Sequence, residues 1–115
     1  MVFRLTFFCY HSSIMIKAVL LKVKEGYINE WKDWCSELQH QRYGDAQSTL
    51  REEGLIQEGA LLFERGNEYY VIGFTEGDGL GGDQGKEINK MHQEKKNRCL
   101  EYLGPVESLY HSVIS

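Results

Sequence analysis

The period of the apolar positions changes several times along the chain. Residues 14–24, IMIKAVLLKVK, are rich in Ile and Val and close on Lys alternating with Val. Such a run predicts a central β-strand. Gly26 breaks it. Tyr27, Ile28, Trp31, Trp34, Cys35 and Leu38 then recur three and four residues apart, the period of an amphipathic helix. Asn29, Glu30, Lys32, Asp33, Glu37 and Gln41 fill its other face. The helix breaks near Gly44, and a short second piece over 46–53 ends at Gly54. Either Asp45 or the Thr49-Leu50-Arg51-Glu52 box can cap that piece.

Residues 55–64 and 68–75 read as two strands. Gly66-Asn67 between them is a two-residue hairpin turn. An acidic glycine-rich loop, EGDGLGGDQG, occupies 76–85. A second long helix is expected over 84–103, with Ile88, Met91, His92, Cys99 and Leu103 on its inner stripe and Gly104-Pro105 as its stop. A last strand is expected over 106–114, VESLYHSVI.

The order β-α-β-β-α-β predicts an α+β, ferredoxin-like domain over residues 15–115: a four-stranded antiparallel sheet with helices on one face. The strands are apolar in both phases. Tyr69 and Val71 alternate with Tyr70, Ile72 and Phe74, and the first strand behaves alike. An uncovered apolar sheet face is a sizeable exposed patch. A homodimer with the two sheets face to face covers it. Residues 1–14 precede the first convincing strand. They are either an extension ahead of a natural start at Met15 or an arm that pairs with a sheet edge.

Four segments, AVLLKVKEG, EWKDWCSEL, TLREEGLIQEGALLFE and NKMHQEKKNRCLE, together resemble a family of small bacterial proteins catalogued as a domain of unknown function. That family falls within the dimeric α/β-barrel superfamily. The resemblance spans about residues 15–113. It implies the same ferredoxin-like fold and a dimer, and no defined activity. The wider superfamily implies ligand sites between sheet and helices, among them cofactor-free monooxygenases and haem-degrading enzymes. In the latter a helical histidine holds the iron, and His92 matches its position. The Asn of the first strand and the Trp of a later strand that accompany it have no counterpart here, which argues against haem degradation.

Charge and cysteines narrow the function classes. The net charge is −4, which disfavours nucleic acid and anionic membranes as partners. The basic run Lys86, Lys90, Lys95, Lys96, Arg98 suits the solvated face and C-terminal half of a helix. Cys9, Cys35 and Cys99 have neither zinc nor C-x-x-C spacing and read as reduced thiols of a cytoplasmic protein. No run approaches the roughly 18 apolar residues of a membrane span. The first residues lack a signal-peptide pattern.

The candidate chemistry is sparse. His92 lies on the inner helix stripe, where a half-buried imidazole serves as a base, a metal ligand or a hydrogen-bonded core residue. Glu58 interrupts an apolar strand. A carboxylate there is a base or substrate anchor, or else one half of an ion pair or an edge-strand charge against aggregation. Glu53 is a companion. Trp31, Tyr70 and Tyr110 are candidate cavity-lining aromatics. Gly77-Asp78-Gly79-Leu80-Gly81-Gly82 matches G-x-G-x-x-G, but it follows a hairpin strand and carries acidic residues that repel a pyrophosphate. No metal site and no cofactor is expected. Three readings follow. The first is a small-molecule-binding dimer with a pocket between sheet and helices for an apolar or aromatic ligand, a class that includes cofactor-free monooxygenase-like and isomerase-like enzymes. The second is a non-enzymatic dimeric module, structural or regulatory. The third is haem binding through His92.

Overall fold

A computed structural model describes residues 15–77 and 86–114. The expectations for the N-terminal arm and for the glycine-rich loop beyond Gly77 lie outside the described residues. Within them the chain runs β1 (Met15–Val23), α1 (Ile28–Gln39), α2 (Tyr43–Glu52), β2 (Leu55–Arg65), β3 (Glu68–Gly77), α3 (Glu87–Cys99) and β4 (Leu100–Val106). The four strands form one antiparallel sheet in the order β2-β3-β1-β4. This is the α+β arrangement expected from the element order, with β1 and β3 central.

The pairing of strands assigns every side chain to a face, because opposed residues share one. Leu21 opposes Val71 and Val19 opposes Gly73. These positions face the helices: Leu21, Val23, Val71, Trp31, Trp34, Cys99 and Leu100 form the buried core. The two tryptophans come from the three-residue spacing in α1, and Trp34 is almost wholly buried. Leu20, Ile72 and Phe74 lie in the opposite phase, as do Leu61 and Phe63 of β2. Leu61 and Phe63 are more than half exposed.

Backbone contacts lock the elements to one another. The β1–α1 connection turns at Gly26, whose φ of 87° suits glycine. Gly66 at φ 63° makes the tight β2–β3 turn. Lys95 and Arg98 on α3 both reach Glu30 on α1, at 3.3 and 3.1 Å. The Lys24 N–H donates to the carbonyl of Cys99 at 2.8 Å, pinning the end of α3 beside the end of β1.

That pin corrects the expected C-terminal boundary. The helix stops at Cys99, not 103, and the chain enters β4 without a loop. Leu100 opposes Val23, and the strand occupies 100–106 rather than 106–114. Gly104 and Pro105 sit inside β4 instead of ending a helix. The pairing shifts between Leu20, opposite Gly104, and Leu21, opposite Tyr102, so one extra residue bulges. Pro105 is tolerated because β4 is an edge strand. Residues 107–114 form no regular element, and Leu109, Tyr110, Val113 and Ile114 are largely exposed. Leu103, expected on the inner helix stripe, is 46% exposed on β4.

Two glycines separate structural need from convenience. A Cβ on Gly77 meets the Gly54 carbonyl oxygen at 2.5 Å and the Leu55 Cα at 2.7 Å, both backbone. A Cβ on Gly44, within α2, meets nothing within 4 Å. Gly77→Ala is expected to cost about 1–3 kcal/mol through backbone displacement. Gly44→Ala is expected to gain about 0.5–1 kcal/mol through helix propensity. Chemical denaturation of both variants measures the two signs.

Candidate functional site

The helices do not lie flush on the sheet. Between them and β1, β2 and β3 lies a cavity of about 1070 Å³, partly open to solvent. Its sheet side is built from Val19, Leu21, Val71 and Gly73 in the middle and from Glu58 and Ala60 of β2. Its helix side carries Trp31, Leu38 and Tyr43 from α1 and α2, and His92 and Lys96 from α3. The depth at the centre follows from Gly73. A Cβ there would touch Val19 and Leu21 at 3.6 and 3.8 Å, ordinary contact distances, so the absent side chain leaves space and no close approach demands it.

Two of the predicted site residues, His92 and Glu58, both line this cavity, and no hydrogen bond or ion pair joins them. His92 is held from the other side. The Trp34 Nε1–H donates to His92 Nδ1 at 2.9 Å. An indole N–H is only a donor, so Nδ1 must be the acceptor and a neutral ring carries its proton on Nε2. The Trp31 and Trp34 rings pack against the imidazole with centroids 6.3 and 6.1 Å away. Burial, and then the Lys96 ammonium, lower the His92 pKa from 6.5 to about 4. The ring is therefore neutral near pH 7. Among the described residues Nε2 has no hydrogen-bond partner, and it is not a buried unsatisfied atom.

Glu58 shares a face with Thr75, its partner on β3, and with Ala60. It forms no hydrogen bond or ion pair among the described residues. Loss of solvent, and then the charge of Glu53, raise its carboxyl above the ordinary value, while Lys96 pulls it down. By area the residue is exposed. The exposure by area shows that water reaches the side chain, so the upward shift reflects neighbouring protein mass rather than enclosure. Glu53, just beyond α2, is raised by the same loss of solvent and then by Glu52, again opposed by Lys96. Lys96 thus sits within electrostatic reach of Glu53, Glu58 and His92.

The other predicted positions separate. Trp31 is buried and lines the cavity. Tyr70 opposes Lys22 and Phe63, so it lies on the sheet face away from the cavity, with its hydroxyl 3.3 Å from Glu68. Tyr110 is 78% exposed beyond β4 and does not line the cavity. Cys35 lines the cavity, but burial, and then Cys99, push its thiol up to about 11, which makes it a poor nucleophile. Among the described residues no cluster of His, Cys, Asp and Glu suits a metal ion.

Sequence reasoning missed Lys96 and Lys17 as lining residues, the donor role of Trp34, and Glu76. The Trp34–His92 contact joins residues 58 apart, which no local period reveals. Glu76 is 7% exposed and accepts from Gln57 Nε2 at 2.6 Å, with His111 Nε2 at 3.3 Å. Its signal was available: a carboxylate in phase with Ile72 and Phe74.

Haem ligation fits this arrangement badly. An imidazole that binds iron through Nε2 carries its proton on Nδ1, where it would face the Trp34 N–H.

Residues 14–112 match the family of unknown function DUF6176, and the chain belongs to that family. No significant match was found among curated proteins or among solved structures. No helix among the described residues is long and apolar enough to cross a membrane.

The lowered His92 pKa makes stability depend on pH. The unfolded chain binds a proton at this ring near 6.5, the folded chain only near 4. Between those values the unfolded state holds more protons, so His92 contributes stability above about 6.5 that is lost as pH falls towards about 4. The raised carboxyls of Glu53 and Glu58 act with opposite sign, so the comparison with a His92 variant isolates the imidazole. Melting temperatures across this window are expected to fall more steeply for the wild type than for His92→Gln, whose amide oxygen still accepts from Trp34. Equal slopes would contradict the assignment.

Proposed function

We propose that this member of the DUF6176 family is a small-molecule-binding protein, with an apolar or aromatic ligand held between sheet and helices. One observation carries the reading: the cavity is lined both by a neutral imidazole fixed as an Nε2–H donor and by a carboxylate without an ion-pair partner among the described residues. His92 serves the core through Nδ1 but keeps its Nε2–H without a partner among the described residues, and Glu58 is solvent-exposed and unpaired among them, so both are available to a ligand. Trp31 and Tyr43 offer aromatic surface, and His92, Glu58 and Lys96 offer orientation. Such a site suits a ligand-binding protein or a cofactor-free, isomerase-like enzyme. The free thiols Cys35 and Cys99 fit a cytoplasmic setting.

The protein works as a homodimer on this reading. Leu61 and Phe63 are 58% and 54% exposed on the sheet face opposite the cavity, next to half-buried Ile72 and Phe74. A second copy placed sheet to sheet removes that patch from water. Light scattering at micromolar concentration is expected to give twice the chain mass. Phe63→Glu is expected to shift it to the monomer, and a monomeric wild type would remove the dimer from the reading.

Cavity binding has its own test. The fluorescent probe 1-anilinonaphthalene-8-sulfonate is expected to bind saturably, and Gly73→Leu to weaken it at least about tenfold by filling the centre of the cavity. A probe signal indifferent to Gly73→Leu in a folded variant would place binding elsewhere, on the exposed sheet face, and would refute the cavity as the site.

A further inference from the structure

The neutral tautomer of His92 changes what the pair can do. An imidazole with Nδ1 engaged and its proton on Nε2 is not a base at its remaining nitrogen; it is a donor. The proton acceptor in the same cavity is the Glu58 carboxylate. The division of labour is therefore settled by the Trp34 N–H, which leaves His92 one role and Glu58 the other.

We propose that the cavity catalyses enolisation of a ring-bearing ketone. Glu58 takes the proton from a carbon next to the carbonyl, and the His92 Nε2–H hydrogen-bonds the carbonyl oxygen. The C–H bond breaks and its electron pair forms the new C=C bond. The carbonyl π pair moves onto oxygen, where the developing negative charge meets the Nε2–H and the positive field of Lys96. Glu58, now protonated and open to solvent, trades its proton with water and delivers one to the same carbon, giving exchange, or delivers its proton to a conjugated carbon, giving isomerisation. No oxidant, reductant or metal enters the balance. The inference rests on the cavity being the ligand site and adds the reaction and the substrate class.

Four observations converge on this chemistry. A carboxylate base opposite a neutral imidazole donor is an established solution for proton abstraction beside a carbonyl. A neutral imidazole suits the enolate better than an imidazolium, which would protonate the oxygen outright and leave the base facing a second cation. Glu58 has no competing ion pair among the described residues, and its raised carboxyl is a stronger base than a fully solvated glutamate. Trp31 and Tyr43 supply aromatic walls for the ring that carries the ketone. Trp34 is a positioning residue, since it acts only through His92.

The experiment uses 2-tetralone, an aromatic ketone with exchangeable hydrogens beside its carbonyl. Deuterium incorporation from heavy water is followed by NMR with the full chain, and binding is followed in parallel by quenching of tryptophan fluorescence. The wild type is expected to accelerate exchange over buffer. Glu58→Gln, on an exposed strand position where folding is undemanding, is expected to lose roughly 100-fold or more while still binding the ketone. His92→Leu is expected to lose roughly 100-fold through the missing donor, and Trp34→Phe to move the pH dependence of exchange by freeing the tautomer. Ketone bound without accelerated exchange, or exchange unchanged in Glu58→Gln, overturns the enolisation and leaves the cavity as a binding site. Failure of the ketone to bind where anilinonaphthalene sulfonate does overturns the ketone class. Failure of both probes removes the binding site itself.

Discussion

One hydrogen bond, from the Trp34 indole to His92 Nδ1, joins the fold to the chemistry. It crosses from α1 to α3 and links two helices that meet over the same sheet. It satisfies the indole N–H, which at 1% residue exposure has no access to water. It also decides which imidazole nitrogen keeps the proton. One contact thus meets a core requirement and fixes the tautomer on which the proposed function rests. The salt bridges from Glu30 to Lys95 and Arg98 span the same two helices. Being partly solvated, they add modestly to stability. Their geometric effect is to keep the α1–α3 distance at which the Trp34–His92 bond can form.

The cavity exists because two demands on the sheet conflict. The helices need apolar partners, which Leu21, Val23, Val71 and Leu100 provide at one end. Towards β2 the same face carries Gly73, Ala60 and Glu58. Two small residues and a carboxylate do not fill the space below α2 and α3, so the helices bridge over it. The core is dense where the tryptophans sit and hollow where Gly73 sits. A sheet face that merely needed covering would carry Val or Ile at positions 60 and 73, as it does at 19 and 71.

Much of this arrangement was legible in the sequence. The three- and four-residue spacing from Tyr27 to Leu38 placed Trp31 and Trp34 inside. Gly66-Asn67 placed the hairpin, and the family resemblance implied ligand sites between sheet and helices. The failures share a cause. Cys99 and Leu103 are four apart, which satisfies a helix, but the Lys24–Cys99 backbone bond and the Val23–Leu100 pairing are long-range and end the helix earlier. Tyr70 was expected at the ligand because both phases of β3 are apolar. Periodicity finds the two faces without saying which one meets the helices, and Val71 rather than Tyr70 belongs to the helix side.

The hairpin carries two carboxylates of unlike surroundings, Glu76 buried and Glu58 exposed by area, and their partners differ as well. Glu76 is paired twice, with Gln57 across the strands and His111 beyond β4, and it lies outside the cavity. The fold has supplied everything that carboxylate needs. Glu58 lies on the neighbouring strand, opposite Thr75, the residue before Glu76. It points to the other face and receives no such partners among the described residues. Lysine was available: Lys96 is near enough to shift its pKa, yet forms no ion pair with it. A strand that needed only a charge against edge pairing could direct it to open solvent. Glu58 instead lines the same cavity as the tautomer-fixed imidazole, with no ion-pair partner among the described residues, which is why the proposed function turns on it rather than on Glu76.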